Sequence, residues 1–207
     1  MQNYVGTLQL KAIAGAGPEG QRAASSENIS AVRFQQTTLC GAWLIGLEPA
    51  RDNRGFFART FCVEEFRSHR LETKFPQHSI SYSVRRGTLR GLHYQNAPHR
   101  EVKLVRCVKG AIWDVIVDIR PGSPTYLKWQ QFELSSANKL QLYIPKGFAH
   151  GFQTLSDDVE VNYLISEPYE PQSARGIRHD DPTFGIAWPL PVTEISEQDL
   201  RWPEFAG

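Results

Sequence analysis

No stretch of the 207-residue chain approaches the roughly 18 consecutive apolar residues that a membrane-crossing helix needs. Net charge is almost absent as well: Lys+Arg 23 stand against Asp+Glu 22, a formal +1. That balance argues against a nucleic-acid protein and a polybasic membrane binder, but allows a local basic cleft for one phosphorylated ligand. Cysteine is scarce. Cys40, Cys62 and Cys107 form an odd set without CxxC spacing, so they build neither a disulfide framework nor a zinc signature and read as isolated reduced thiols. The opening "MQNYVGTLQLKAIAGAGPEG" has no basic region followed by an apolar run, so it does not read as a signal peptide. No GxGxxG follows a strand to cradle a dinucleotide. These absences predict a soluble cytoplasmic protein with one sizeable domain.

Helical periodicity is nearly missing too. "VEEFRSHRL" (63 to 71) is the one convincing helix ahead of the core. Extended segments recur instead: "AWLIGLEP", "HSISYSV", "VKLVRCV", "AIWDVIVDI", "LKWQQFEL", "LQLYIP" and "VEVNYLI", each close to Gly, Pro, Ser, Asn or Asp. "RDNRGFFARTF" opens on a turn signal and returns as a strand, and Lys109-Gly110 reads as a hairpin turn. Many short strands at close spacing predict an all-β antiparallel sandwich or barrel. A cupin-type jelly roll fits best, because in "IPKGFAHGF" Pro145 and Gly147 make a tight turn that aims His150 into the barrel mouth. Residues 11 to 30 are rich in Ala, Gly and Ser without any hydrophobic period. Residues 1–37 are therefore expected to be a flexible extension, 38–185 the jelly roll, and 186–207 a segment that docks on the barrel.

Metal binding is the first chemistry to weigh. A cupin metal site takes two histidines one residue apart, a carboxylate and a later histidine. Here Tyr94 and Gln95 follow His93, so the second histidine is missing, and His99, Glu101 and His150 alone make a poor ligand set. No metal is expected. Acid–base chemistry fits better. A histidine exchanges protons near neutral pH, and Lys103, ten residues on and past a turn, can return onto the adjacent strand beside His93. Arg90 lies three residues before His93, which puts the two on opposite faces of a regular strand unless Gly91 carries a bulge. The alternative is a core histidine flanked by two solvated cations. Tyr163 can supply a phenolic proton or simply pack in its strand, and Tyr169 can stack on a flat base. The five tryptophans are dispersed, and Trp113 and Trp129 read as core or sheet-face residues. Asp180 and Asp181 diverge on an extended chain and suit turn and capping hydrogen bonds, not a dyad. Lys146 reads as a solvated turn residue.

"RGTLRGLHYQ", "KLVRCVKGAIWDVIVDIRPGSPTYLKW", "LYIPKGFAHGF", "GIRHDDPTFGIAWP" and "ISEQD" occur in order between about residues 38 and 205. Together they resemble the dTDP-4-dehydrorhamnose 3,5-epimerase family, cupin-fold enzymes of deoxysugar biosynthesis. The resemblance implies roles for particular residues. His93 would be the base, Asp199 its orienting partner, Lys103 the residue at the sugar ketone and Tyr163 the proton donor on the opposite sugar face. Tyr169 would stack on the nucleotide base. Arg54 and Arg90 would contact the diphosphate, with Arg54 reaching in from the partner subunit of a homodimer, and His150 would line the substrate pocket. The implied reaction is epimerisation at C3, C5 or both of a nucleotide-linked 4-keto-6-deoxyhexose, with no cofactor.

The chain departs from the family pattern at Arg59, at Gln77, His78 and Ser79, at Ala174 and at Gln198. Most of these positions, Gln77 among them, are implied to touch the nucleotide or the outer sugar pocket. Nucleotide choice is therefore the property they would retune, toward a CDP- or GDP-linked sugar, and Arg59 reads equally as a nucleotide contact or a surface arginine. A C3-only epimerase, a non-catalytic sugar-nucleotide binder and a metal-dependent cupin are the other readings.

Overall fold

The structure is a computed structural model that describes residues 4–7 and 32–206. The Ala/Gly/Ser-rich stretch 11 to 30 lies outside the described residues. In chain order the strands are β1 (Tyr4–Thr7), β2 (Val32–Gln36), β3 (Trp43–Leu47), β4 (Ala50–Asp52) and β5 (Gly55–Phe57). Helix α1 (Val63–Ser68) precedes β6 (Gln77–Ser83), β7 (Leu89–Gln95), β8 (Lys103–Lys109), β9 (Ala111–Asp118) and β10 (Trp129–Ser135). Then follow β11 (Leu140–Ile144), β12 (Phe148–Thr154), β13 (Val159–Ile165), β14 (Ala174–Gly176) and α2 (Glu197–Leu200). Among the described residues no helix is long and apolar enough to cross a membrane.

Among the described residues the strands form two six-stranded sheets, ordered β1-β10-β9-β12-β7-β14 and β2-β3-β11-β8-β13-β6, with β4-β5 a separate hairpin. This is the jelly roll of the cupin type. The first sheet strand of the second sheet begins at Val32, ahead of the domain start expected at 38, and pairs with β3 from Val32↔Leu47 to Gln36↔Trp43. Farther toward the N-terminus, β1 adds to the first sheet as a parallel partner of β10. The expected hairpin at Lys109-Gly110 does not form. β8 pairs with β11 and β13, whereas β9 pairs with β10 and β12, so the chain crosses there from one sheet to the other. Gly110 makes the crossing possible at φ +77, where a Cβ would lie 2.6 Å from Ser156 Oγ and 2.8 Å from Val159 Cγ2.

Period-two alternation builds the interior. Val105 and Cys107 on β8, Ile112 and Ile116 on β9, Phe148 and Phe152 on β12, and Val159 and Val161 on β13 fill the space between the sheets. The alternate residues are also covered. Val115, Val117 and Ala149 pack outward under Phe184, with Trp188 and Phe205 against them. On the other sheet Ile45, Leu104 and Tyr143 lie under Phe66 of α1. Phe66 is wholly buried, which is worth about 1.5–3 kcal/mol and fixes α1 on the sheet. Acidic Glu64 and Glu65 in its first turn and Arg67 in its last complement the helix dipole. Trp129 is buried, as expected of a core residue. Cys107 is unpaired in the core, and burial pushes its thiol up to about 11, so it stays protonated and unreactive.

Candidate active site

The same alternation places polar groups where apolar ones would otherwise stand. Lys103 shares a face with Val105 and Cys107, Asp114 with Ile112 and Ile116, His150 with Phe148 and Phe152, and Tyr163 with Val159 and Val161. At one end of the sandwich the core therefore turns polar and opens into a cavity of about 670 Å³. Its lining includes Gln77, Arg90, His93, Lys103, His150, Tyr163, Tyr169 and Asp199. Eight of the sequence-derived candidates thus meet at one place.

His93 enters through the irregularity anticipated at Gly91. In the β7–β12 ladder His93 pairs with His150 and Arg90 pairs with Phe152, so two residues of β7 oppose one of β12. The backbones nearly touch there: a Cβ on Gly91 would come within 2.7 Å of Gly151 Cα, and one on Gly151 within 2.7 Å of the Arg90 carbonyl oxygen. Glycine on both strands is what allows the bulge.

The tail supplies the partner. Asp199 is 3 % exposed and its Oδ1 lies 2.6 Å from His93 Nε2. The Gly91 N–H donates to its Oδ2 at 3.2 Å and the Trp202 indole N–H to its Oδ1 at 3.3 Å. Ser196 caps the turn by accepting from the Asp199 N–H. Burial drives the Asp199 carboxyl pKa upward, but the hydrogen bond and charge of His93, then the Gly91 and Trp202 N–H groups, outweigh it and hold the group below its ordinary value. An ionised carboxylate only accepts, so Nε2 of His93 carries a proton, and in the neutral form of the ring Nδ1 is left with its lone pair. The His93 side chain is 47 % exposed, into the cavity.

Tyr163 stands on the facing sheet. Its hydroxyl lies 3.2 Å from Ser81 Oγ. Burial pushes its phenol well above the ordinary value; the Ser81 hydrogen bond opposes this less strongly, and the Asp114 and Arg90 charges act in opposite directions, so it remains a proton donor at neutral pH. His150 packs beside it with ring centroids 6.3 Å apart and makes a second, fully buried pair, Nε2 to Asp114 Oδ2 at 2.9 Å. Lys103 donates to the His93 carbonyl at 3.3 Å and pairs with Glu101 at 3.1 Å. Arg90 is braced by Ser83 Oγ at 3.0 Å and the Tyr82 carbonyl at 2.8 Å. At the rim, Gln77 Oε1 accepts from the Tyr169 N–H at 2.7 Å, and Tyr169 is 64 % exposed.

Arg54 is not brought to this cavity by its own chain. It sits in the β4–β5 turn and pairs with Asp52 at 2.6 Å on an exposed hairpin. Arg59 pairs with Glu65 of α1 at 3.6 Å, also outside the cavity lining. The groups weighed as metal ligands each have another partner: Glu101 has Lys103, His99 has Glu167 and His150 has Asp114. Asp180 pairs with Arg178, and Asp181 accepts from the Thr183 and Phe205 N–H groups, the turn role expected of them. Asp114 and Trp202 went unnoticed in the sequence. Asp114 had a signal, an acid on the inward face between Ile112 and Ile116, whereas Trp202 had none.

The family profile described as dTDP-4-dehydrorhamnose 3,5-epimerase matches residues 36–207. A dTDP-4-dehydrorhamnose 3,5-epimerase of Methanothermobacter thermautotrophicus is 46 % identical over 173 residues, covering 82 % of this chain and 92 % of the relative. One from Sinorhizobium fredii is 43 % identical over 173 residues, covering 83 % and 89 %. The crystal structure of the Bacillus anthracis enzyme, with TDP and PPi bound, superposes with a TM-score of 0.82 at 36 % identity, covering 84 % of this chain and 100 % of that one. A match that runs through every strand from β3 onward and through the tail carrying Asp199 leaves one conclusion: the chain belongs to the dTDP-4-dehydrorhamnose 3,5-epimerase family and is an isomerase.

Proposed function

We propose that the protein epimerises C3 and C5 of a dTDP-linked 4-keto-6-deoxyhexose through enolate intermediates. The observation that carries this is a histidine of one sheet, paired with the carboxylate of the tail turn, facing a half-buried, protonated tyrosine of the other sheet across one cavity. Both carbons flank the C4 ketone, so their protons are acidic. His93 Nδ1 takes the proton, the C–H electron pair moves into the enolate, and the charge develops on the C4 oxygen. Lys103 stands beside His93 to hold that oxygen; a well-placed partner of this kind is worth about 10²–10³ in rate. Tyr163 returns a proton to the opposite face and the carbon is inverted. Arg90 faces the diphosphate, Gln77 and Tyr169 the nucleotide base, and His150 the sugar. In a homodimer the exposed β4–β5 hairpin carries Arg54 into the partner's cavity, where it adds a second diphosphate contact.

Proton NMR in D₂O with dTDP-4-keto-6-deoxyglucose tests the reading. Exchange at H3 and H5 is expected. Exchange at one position would mark a regiospecific epimerase, exchange only of a CDP- or GDP-linked analogue would overturn the nucleotide, and no exchange with any would leave a binding module. Tyr163→Phe separates the two proton steps. Base-face washout should persist while net inversion, followed by the product's ring couplings, falls about 10²-fold. Unchanged inversion would remove Tyr163 from the mechanism.

A further inference from the structure

Among the described residues Trp202 is the one side chain besides His93 that bonds the Asp199 carboxylate, and the reaction just described does not use it. Its indole N–H shares Oδ1 of Asp199 with His93 Nε2. The place it occupies is unusual. Gly176 of β14 pairs directly with His93 of β7, and a Cβ on Gly176 would lie 2.1 Å from Trp202 Nε1, 2.3 Å from Cε2 and 2.4 Å from Cδ1. The indole therefore rests in the space left by the missing side chain opposite the base. Gly176 is buried, and its backbone is not in the left-handed region, so no turn requires a glycine at that position. What requires it is the tryptophan.

We infer that Trp202 is a positioning residue for the His93–Asp199 pair and that Gly176 is its seat, an inference that rests on His93 being the base. The physical role follows from the carboxylate's rotation. Asp199 sits in the single turn of α2 and can swing about its χ angles. Gly91 N–H fixes Oδ2 and Trp202 N–H fixes the far side of Oδ1, so the oxygen that faces His93 has one orientation. A hydrogen bond to a charged group is among the stronger ones, and losing it frees the carboxylate rather than removing it. The ring also lines the cavity beside His93, so phenylalanine at 202 keeps the wall while deleting the donor.

The test uses four full-length proteins: wild type, Trp202→Phe, Gly176→Ala and the double variant, each assayed for exchange and inversion with the dTDP sugar. Trp202→Phe should lower kcat roughly tenfold with KM little changed, since the lost bond orients the base and does not hold substrate. Gly176→Ala should reproduce that fall by displacing the indole, although it removes no hydrogen-bonding group. In Trp202→Phe the Gly176→Ala change should then add almost nothing, because both act through one contact. Equal kcat in wild type and Trp202→Phe, or full additivity of the two changes, would overturn the inference while leaving the role of His93 intact. Retention of exchange in a His93→Ala control would overturn both. Melting curves of the four proteins distinguish misfolding, which lowers the active fraction, from the kcat effect of the folded enzyme.

Discussion

His93→Ala should abolish deuterium exchange at H3 and H5 and epimerisation together, a loss of about 10⁴-fold, the upper end of what a positioned acid–base group contributes. The reason is specific to the site. His93 Nδ1 is the free nitrogen of a ring whose other nitrogen is tied to Asp199 at 2.6 Å. Tyr163 cannot substitute as a base, because burial keeps its phenol protonated. Asp199 cannot reach substrate without leaving the Gly91 and Trp202 N–H groups. Binding should survive: calorimetry with dTDP would show affinity near wild type, since in the proposed reaction the ring meets the sugar and not the nucleotide. Residual exchange within about tenfold of wild type would rule His93 out as the base.

A second large effect is expected outside the cavity lining. Asp118, at the end of β9, is fully buried and receives five hydrogen bonds: from the Arg120 backbone N–H at 3.1 Å, its Nε at 2.8 Å and its Nη2 at 2.6 Å, and from the hydroxyls of Ser123 and Thr125, each at 2.6 Å. Arg120 and Thr125 pass the connection on to the Cys40 carbonyl and N–H. Asp118→Ala leaves that guanidinium unpaired and both hydroxyls without their acceptor, which should cost about 3–5 kcal/mol. Urea unfolding at fixed protein concentration measures it, and a loss under about 1 kcal/mol would mean the loop relaxes around the vacancy. The pH dependence has a definite sign. Burial raises the Asp118 pKa, but the bonds from Arg120, Ser123 and Thr125 outweigh it and the folded value is depressed. Its stabilisation is therefore present above the unfolded carboxylate pKa of about 3.9 and is lost as the pH falls through the folded value. Wild type and variant should converge in strong acid.

Much of the site was legible because its period is the period of the strands. Once β8, β12 and β13 are drawn as alternating, Lys103, His150 and Tyr163 face inward of necessity. The Gly91 bulge was also readable, since Arg90 and His93 can share a face only if the strand slips. What stayed hidden depended on pairing. Lys109-Gly110 has the chemistry of a hairpin turn, but turn chemistry says only that the chain reverses, not that the strands it joins become neighbours; β8 and β9 find other partners. Val32–Gln36 was taken into the extension because five residues are too few for a period to stand out beside a long polar stretch. Trp202 resembles any tail tryptophan until Gly176 is placed opposite His93.

The sequence separation of 106 from His93 to Asp199 sets an order of events during biosynthesis. Strand β7 leaves the ribosome long before the turn that carries Asp199, so the nascent sheets can assemble with the histidine already in its bulge but with no carboxylate to orient it. In the proposed reaction the imidazole is armed only when the tail folds back across β7. Appearance of activity in a synchronised translation would therefore lag the appearance of native sheet, and a nick between β14 and α2 would silence the enzyme while leaving the barrel standing.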